Sequence, residues 1–131
     1  MNLGTGLRLI YALCLLGATG NHVLILIRHG PLWNYGSAPA GSAIFWTSLT
    51  FIDPAAAILL FARPRVGIAL TAAIILADVV HNLWFLKRYA SGGVYAVMIL
   101  GNPNLLCQIA FLLFVAGTMR LAWVNSPPRP G

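Results

Sequence analysis

The chain has 131 residues, of which 60% are apolar and only 8% are charged, with a mean hydropathy of +0.85. A soluble domain of this size carries about 25% charged residues, so the composition argues against that class and indicates a one-domain membrane protein. The net charge of +6 fits loop residues that flank membrane spans. No cluster exceeds two basic residues, which argues against a nucleic-acid partner.

Four apolar segments predict an all-α, integral membrane four-helix bundle with up-down-up-down topology. They cover about residues 6–27, 41–62, 66–86 and 104–124. At about 1.5 Å per residue, each segment spans the hydrocarbon core of roughly 30 Å. The first segment begins like a secretory signal, but it has no small-residue cleavage site and its apolar run resumes at Val23. We therefore expect it to be retained as a span.

The connections between these segments are short. Arg63-Pro64-Arg65 leaves room only for a tight turn, which makes the second and third segments antiparallel neighbours. Pro54 inside the second segment frees a carbonyl one turn earlier and predicts a kink. Loop 28–40 mixes turn-forming residues with the aromatic residues typical of a membrane interface.

Residues 94–100 are apolar but too few to span a membrane. We expect them to form a short interfacial segment before the fourth helix; the alternative is an extension of that helix across a kink at Pro103. The proline-rich tail, residues 125–131, is predicted to be disordered, so the transmembrane domain would cover residues 1–124.

The distribution of basic residues predicts the orientation. An even number of spans puts both termini on one side, together with five basic residues: Arg8, Arg63, Arg65, Arg120 and Arg129. The other side has three: Arg28, Lys87 and Arg88. The positive-inside rule then predicts cytoplasmic termini, which we assign to a bacterial inner (plasma) membrane.

The polar residues of all four segments fall at matching depth, between the non-cytoplasmic interface and about the midplane, when residues are counted from the helix ends. We take this layer as the candidate ligand-binding site: Asn21, His22, Trp46, Thr50, Asp53, Asp78, His81, Asn82 and Gln108. Asp78, His81 and Asn82 are spaced i, i+3, i+4, and this spacing assigns them to one helix face. The other half of the bundle is almost purely aliphatic.

Asp53 and Asp78 are the only two acids in the chain. A carboxylate at the bilayer centre costs about 2.5–3.5 kcal/mol, so both acids should face the bundle interior and be paired, hydrogen-bonded or protonated. The expected partner of Asp78 is His81 or His22. A metal site built on Asp78, His81, His22 and Asp53 is conceivable, but one D-x-x-H is a weak signal, and we predict no metal and no cofactor.

Other residues allow two interpretations. Gly17 and Gly20 indicate close helix packing, within the chain or between chains. Trp33, Trp46 and Trp84 fit an aromatic belt or the mouth of a pocket. Cys14 and Cys107 have no metal-ligand spacing, and we expect buried, inert thiols without a disulfide.

Three functions remain open. The first is an outward-facing pocket, built on Asp53, Asp78 and His81, that either binds or binds and converts a lipid-like or small amphipathic ligand. Its arrangement of intramembrane acids and aromatics is similar to that of four-helix sterol-isomerase and sigma-2-type membrane proteins, although no motif carries residues over. The second is an oligomeric small transporter or channel with Asp53 or Asp78 as the proton or cation site. The third is an accessory subunit of a larger membrane complex. The expected partners are membrane lipid, a small hydrophobic ligand, and a second copy or a membrane complex; whether the chain is an enzyme stays undecided.

Overall fold

A computed structural model describes residues 1–31, 33–89 and 93–127. All regular secondary structure in this part of the chain is helical. The helices are α1 (Leu3–His29), α2 (Ala40–Ala62), α3 (Pro64–Tyr89), α4 (Tyr95–Leu100) and α5 (Pro103–Val124). The four long helices, α1, α2, α3 and α5, are long and apolar enough to cross a membrane, which is compatible with a multi-pass membrane protein.

Each predicted span lies within one long helix, and local signals explain where the helices begin and end. The side chain of Asn2 accepts from the backbone N–H of Thr5 at 2.8 Å, and Asn102 accepts from Leu105 at 3.1 Å, so both cap helix N-termini. Gly30, with φ 83°, ends α1 in the left-handed region that glycine adopts without strain. Helix α2 continues through Pro54 without a break.

The long helices form a four-membered ring in which α1 packs on α2 and α5, and α3 packs on α2 and α5. Its centre is filled by completely buried side chains: Tyr11, Leu60, Ile68, Thr71 and Val115. Much of the outer surface is apolar, as at Leu13, Ile58 and Leu113, which are each more than 60% exposed.

One end of the bundle, which we call the closed end, is held by backbone contacts. A Cβ atom added to Gly67 would meet the backbone of Leu60, and one added to Gly4 would lie 2.6 Å from the carbonyl oxygen of Asn125. These glycines let α3 approach α2, and α1 approach the end of α5, more closely than any side chain permits. The Tyr11 hydroxyl and Thr118 Oγ1 are 2.7 Å apart and add a hydrogen bond between α1 and α5.

A buried arginine completes the closed end. Arg8 is only 6% exposed, and it donates to the carbonyl oxygens of Gly4 at 3.1 Å and Leu60 at 3.0 Å and to Thr5 Oγ1 at 3.0 Å. The Leu60 carbonyl needs this donor because the residue four positions later is Pro64, which has no N–H. Arg8, one of the basic residues used above to predict the orientation, therefore also links α1 to α2.

Two sequence expectations differ from these contacts. A Cβ atom at Gly17 or Gly20 would meet nothing within 4 Å in the described part of the chain, so the prediction of close packing there was wrong within one chain. Packing of these glycines between chains stays a prediction. The predicted disordered tail begins with an ordered residue, because Ser126 is buried and donates to the Ala122 carbonyl at 2.7 Å. Residues 128–131 of that tail lie outside the described residues.

Residues 95–100 form the separate short helix α4 rather than an extension of α5. The Tyr95 hydroxyl donates to the Leu83 carbonyl at 2.8 Å and ties α4 to the end of α3. The interfacial position of α4 remains a prediction.

Candidate functional site

A cavity of about 340 Å³ lies between α1 and α5, with α2 and α3 behind it. We call it the cleft. From α1 and α5 it is lined by Cys14, Leu15, Gly17, Ala18, Asn21, His22, Asn104, Cys107, Gln108 and Phe111, and from α2 and α3 by Asp53, Ile74, Ile75 and Asp78. Nearer the closed end, α1 and α5 are joined by the Tyr11–Thr118 hydrogen bond. The cleft therefore forms where these two helices separate.

Both acids of the chain lie at the back of the cleft. Asp53 is 2% exposed and Asp78 is 6% exposed, so neither carboxylate faces the outer surface of the bundle. The residue count along each helix predicted that polar groups from all four long helices would meet at one level. The structure brings Asp53 and Asp78 together with Asn21, His22 and Gln108 around the cleft, and their depth in a membrane stays a prediction. Their part in binding a ligand stays a prediction.

A hydrogen-bond network centred on Asn82 holds one acid in place. Its Nδ2 donates to Asp78 Oδ1 at 2.8 Å and to Gln108 Oε1 at 3.0 Å, and its Oδ1 accepts from Trp46 Nε1 at 2.9 Å. The network joins α2, α3 and α5, so it fixes their rotation about their axes at this level. The Asn82 amide therefore donates two hydrogen bonds through Nδ2 and accepts one through Oδ1 within the protein.

The second acid is not held in this way. Within the described residues, five buried side-chain atoms have no hydrogen-bond partner: Thr50 Oγ1, Arg65 Nε, His81 Nε2, His22 Nδ1 and Asp53 Oδ1. Buried polar atoms are normally bonded, and an unsatisfied one costs about 1–3 kcal/mol, more when it is charged. Of these five residues, only Asp53 and His22 line the cleft.

A second cavity of about 350 Å³ adjoins the cleft and shares four of its lining residues: Asn21, His22, Asn104 and Gln108. We call it the mouth. Its aromatic lining is Trp33, Tyr35, Trp46 and Phe85. The ring centroids of Trp33 and Tyr35 are 4.7 Å apart, those of Tyr35 and Trp46 are 5.0 Å apart, and those of Trp46 and Phe85 are 4.9 Å apart. A continuous aromatic wall therefore leads to the polar back of the cleft.

The α1–α2 loop supplies part of this wall. Tyr35, Gly36 and Ser37 have φ of 49°, 74° and 75°, three successive left-handed residues that turn the chain back over the helix ends. The Tyr35 hydroxyl lies 3.4 Å from Thr47 Oγ1 on α2. The turn thus carries Trp33 and Tyr35 from the loop to the edge of the mouth.

Two predicted site residues lie elsewhere. His81 lines neither cavity and packs among aromatic rings, with centroids 4.6 Å from Phe45 and 5.4 Å from Trp46. The expected pairing of Asp78 with a histidine was wrong, because Asp78 accepts from Asn82 instead. Thr50 is buried on α2, but it also lines neither cavity.

The structure also shows the exposure of the two cysteines and the arrangement of the possible metal ligands. Cys14 and Cys107 are free thiols and both are exposed, so the expectation of buried thiols was wrong. In residues 1–31, 33–89 and 93–127, no group of three or more His, Cys, Asp or Glu side chains is arranged to hold a metal ion.

Sequence reasoning passed over several residues of these cavities. Asn104 borders both cavities and lies one helical turn before Gln108, a spacing that would have identified it. Tyr35 and Phe85 gave no comparable signal, because an interfacial aromatic residue and one that lines a mouth look alike in sequence.

The arrangement can hold a ligand that has an apolar body and a group that bonds to a carboxylate. The apolar surfaces are those of Leu15, Ile74 and Phe111, and the carboxylates are those of Asp53 and Asp78. This description depends on geometry alone. No family model, curated protein or solved structure that was compared with the chain matches it.

Proposed function

We propose that this chain is a four-span integral membrane protein that binds a lipid-like or small amphipathic ligand in the cleft. The helices would cross the membrane up-down-up-down, with the closed end and both termini at the cytoplasmic face of a bacterial inner membrane. The length and apolar character of the four long helices support this arrangement. The larger number of basic residues near the closed end supports the orientation.

In this orientation the apolar side chains on the outside of the bundle contact acyl chains rather than water. The cleft then lies in the outer half of the bilayer, between α1 and α5, and the mouth faces the outer interface. A ligand that dissolves in lipid can reach the cleft sideways, without leaving the membrane. The proposal covers binding and includes no chemical reaction.

The observation that carries the proposal is the buried, unsatisfied Asp53 Oδ1 in the wall of a 340 Å³ cavity. In a bundle whose polar groups served only to set helix register, this atom would be bonded within the protein, as Asp78 Oδ1 is to Asn82 Nδ2 on the same helix. A cavity of this size also falls within the range of about 300–1,000 Å³ that is typical of small-molecule sites.

The test is to identify what purifies with the protein. We expect mass spectrometry of the full chain, extracted in native nanodiscs, to detect an amphipathic species at about one copy per chain. Gly17→Leu should displace it, because Gly17 lines the cleft and a side chain there meets open space. Gly20→Leu is the matched control, because Gly20 also has open space around it but does not line the cleft.

Retention of the same species by Gly17→Leu and Gly20→Leu would mean that it binds elsewhere on the protein. Absence of any bound species from the unmodified chain, together with proton-coupled flux in liposomes that Asp53→Asn abolishes, would favour the transporter instead. The completely buried Tyr11, Leu60 and Val115 argue against a continuous passage, because they fill the bundle between the cleft and the closed end.

A further inference from the structure

The back of the cleft carries two carboxylates, and among the described residues no lysine or arginine lines it. We propose that the ligand is an amphipathic amine, whose protonated nitrogen binds at Asp53 while its apolar body lies along the walls of the cleft. This inference rests on the proposed function and specifies the ligand class of the same site.

Among the residues that the structure describes, none supplies a cation to Asp53. The buried arginine nearest along the bundle is Arg8, which bonds to the Leu60 carbonyl, about 10 Å from Asp53 along α2 at helical rise. Its bonds to Gly4, Leu60 and Thr5 leave it directed away from the cleft. His22 is the other candidate, but its Nδ1 has no acceptor among the described residues, so it does not act as a counterion for Asp53.

A protonated amine fits the unsatisfied atoms. An ammonium group has a positive charge and N–H donors, which match the carboxylate of Asp53. A second N–H can be accepted by the imidazole of His22 in its neutral form, since His22 lines the same cavity. An anionic or purely acceptor ligand would instead leave Asp53 unpaired.

The shape of the cavity favours an organic cation over a bare metal ion. The cleft has a volume of about 340 Å³, far more than one ion fills, and much of its wall is apolar. The described residues also provide no group of three or more His, Cys, Asp or Glu ligands. Small residues, Gly17 and Ala18 on α1, leave space on the outer side of the cleft, where an apolar tail can extend towards lipid.

The aromatic rings of the mouth also favour a positively charged ligand. Positive groups are attracted to the faces of tryptophan, tyrosine and phenylalanine rings. Trp33, Tyr35, Trp46 and Phe85 present such rings beside the cleft. Among the described residues, no acid, lysine or arginine lines the mouth. A cation approaching from the outer interface would therefore pass from aromatic rings to the two carboxylates.

The test compares probes that differ in charge but not in shape. Binding to the full chain in nanodiscs is measured by surface plasmon resonance, with empty nanodiscs subtracted. The probes are 4-phenylpiperidine, a secondary amine that is protonated at neutral pH, phenylcyclohexane, in which carbon replaces that nitrogen, and 4-phenylcyclohexanecarboxylate, which is anionic. We expect phenylpiperidine to bind at least about tenfold more tightly than either of the others.

The same comparison in Asp53→Asn tests whether the carboxylate of Asp53 binds the protonated nitrogen of the probe. We expect this variant to bind phenylpiperidine and phenylcyclohexane equally, with the affinity for phenylcyclohexane unchanged. Cys14 on α1 and Cys107 on α5, the only cysteines in the chain, both line the cleft and report the position of the probe. Bound phenylpiperidine should slow their alkylation by a membrane-permeant maleimide. Circular dichroism shows whether the variant keeps its fold.

The outcomes separate the two proposals. Equal binding of phenylpiperidine and phenylcyclohexane by the unmodified chain would overturn the amine inference and leave a general apolar pocket. Tighter binding of the carboxylate would also overturn it. A preference for the amine that persists in Asp53→Asn would exclude Asp53 as its site. Absence of binding by all three probes, with no species found in the purified protein, would overturn both proposals.

Discussion

The two ends of this bundle are built from the same apolar helices but are held together differently. At the closed end, glycines let backbones touch, and the buried Arg8 uses its donors on neighbouring oxygen atoms. Arg65 Nε is the buried atom at this end that has no partner among the described residues. At the end with the cleft and the mouth, α1 and α5 separate, and Asp53 and His22 keep unsatisfied atoms among the described residues.

The difference shows which polar residues stabilise the fold. Burial of a polar group in a membrane protein is tolerated when its bonds are satisfied within the bundle. Arg8 meets that condition and Asp53 does not. The closed end is therefore the part on which stability depends, and the cleft is the part that is free to serve binding. Three substitutions test this division.

The largest effect should come from Gly67→Ala. Its Cβ would meet the backbone of Leu60, which cannot move aside as a side chain can, so α2 and α3 must separate. Overpacking of this kind costs about 2–3 kcal/mol, which exceeds the gain in helix propensity of about 1 kcal/mol. Thermal or SDS unfolding followed by circular dichroism measures the loss.

The matched control for that substitution is Gly17→Ala, which changes the same residue type in the cleft. It should leave the free energy of unfolding unchanged or raise it by up to about 1 kcal/mol, because its Cβ meets nothing within 4 Å in the described part of the chain. Equal losses for the two variants would contradict the division between the ends.

A smaller loss is expected for Arg8→Lys. Lysine keeps the charge, but its compact ammonium group cannot reach Gly4, Leu60 and Thr5 together, as the guanidinium does. Leaving the Leu60 carbonyl without a donor should cost about 1–2 kcal/mol in the same unfolding assay. Arg28→Lys, at an exposed position, should change stability by less than about 0.5 kcal/mol.

The smallest effect on stability is expected for Asp53→Asn. The amide keeps the shape of the side chain and removes a buried charge that has no counterion among the described residues, so stability should stay the same or rise by up to about 1 kcal/mol. A loss larger than about 1 kcal/mol would show that Asp53 is a structural residue, and the contrast between the two ends would fail.

The sequence predicted the helices and the approximate position of the polar residues along them. It did not predict which neighbouring helix each polar side chain contacts. Asp78, His81 and Asn82 were predicted to share one face. His81 and Asn82 are nevertheless about 100° apart around the helix, which is enough for them to contact different helices. Asn82 bonds to Gln108 on α5, whereas His81 packs against Phe45 on α2.

The sequence also does not show which glycines allow two helices to pack closely. Gly17 and Gly67 are both single glycines in apolar helices, and periodicity does not separate them. Only the positions of neighbouring helices show that Gly67 touches the backbone of Leu60 while Gly17 borders a cavity.

The sequence by itself determined that the chain forms four long apolar helices, and that the two acids would share a level. Hydropathy and the fixed rise per residue are properties of each segment alone, so they require no knowledge of its neighbours. The tertiary structure decided which acid is bonded, which stays unsatisfied, and where α1 and α5 separate. These features depend on how the helices rotate and tilt against one another, and that is set by contacts between residues far apart in the chain, such as Arg8 with Leu60 and Tyr11 with Thr118.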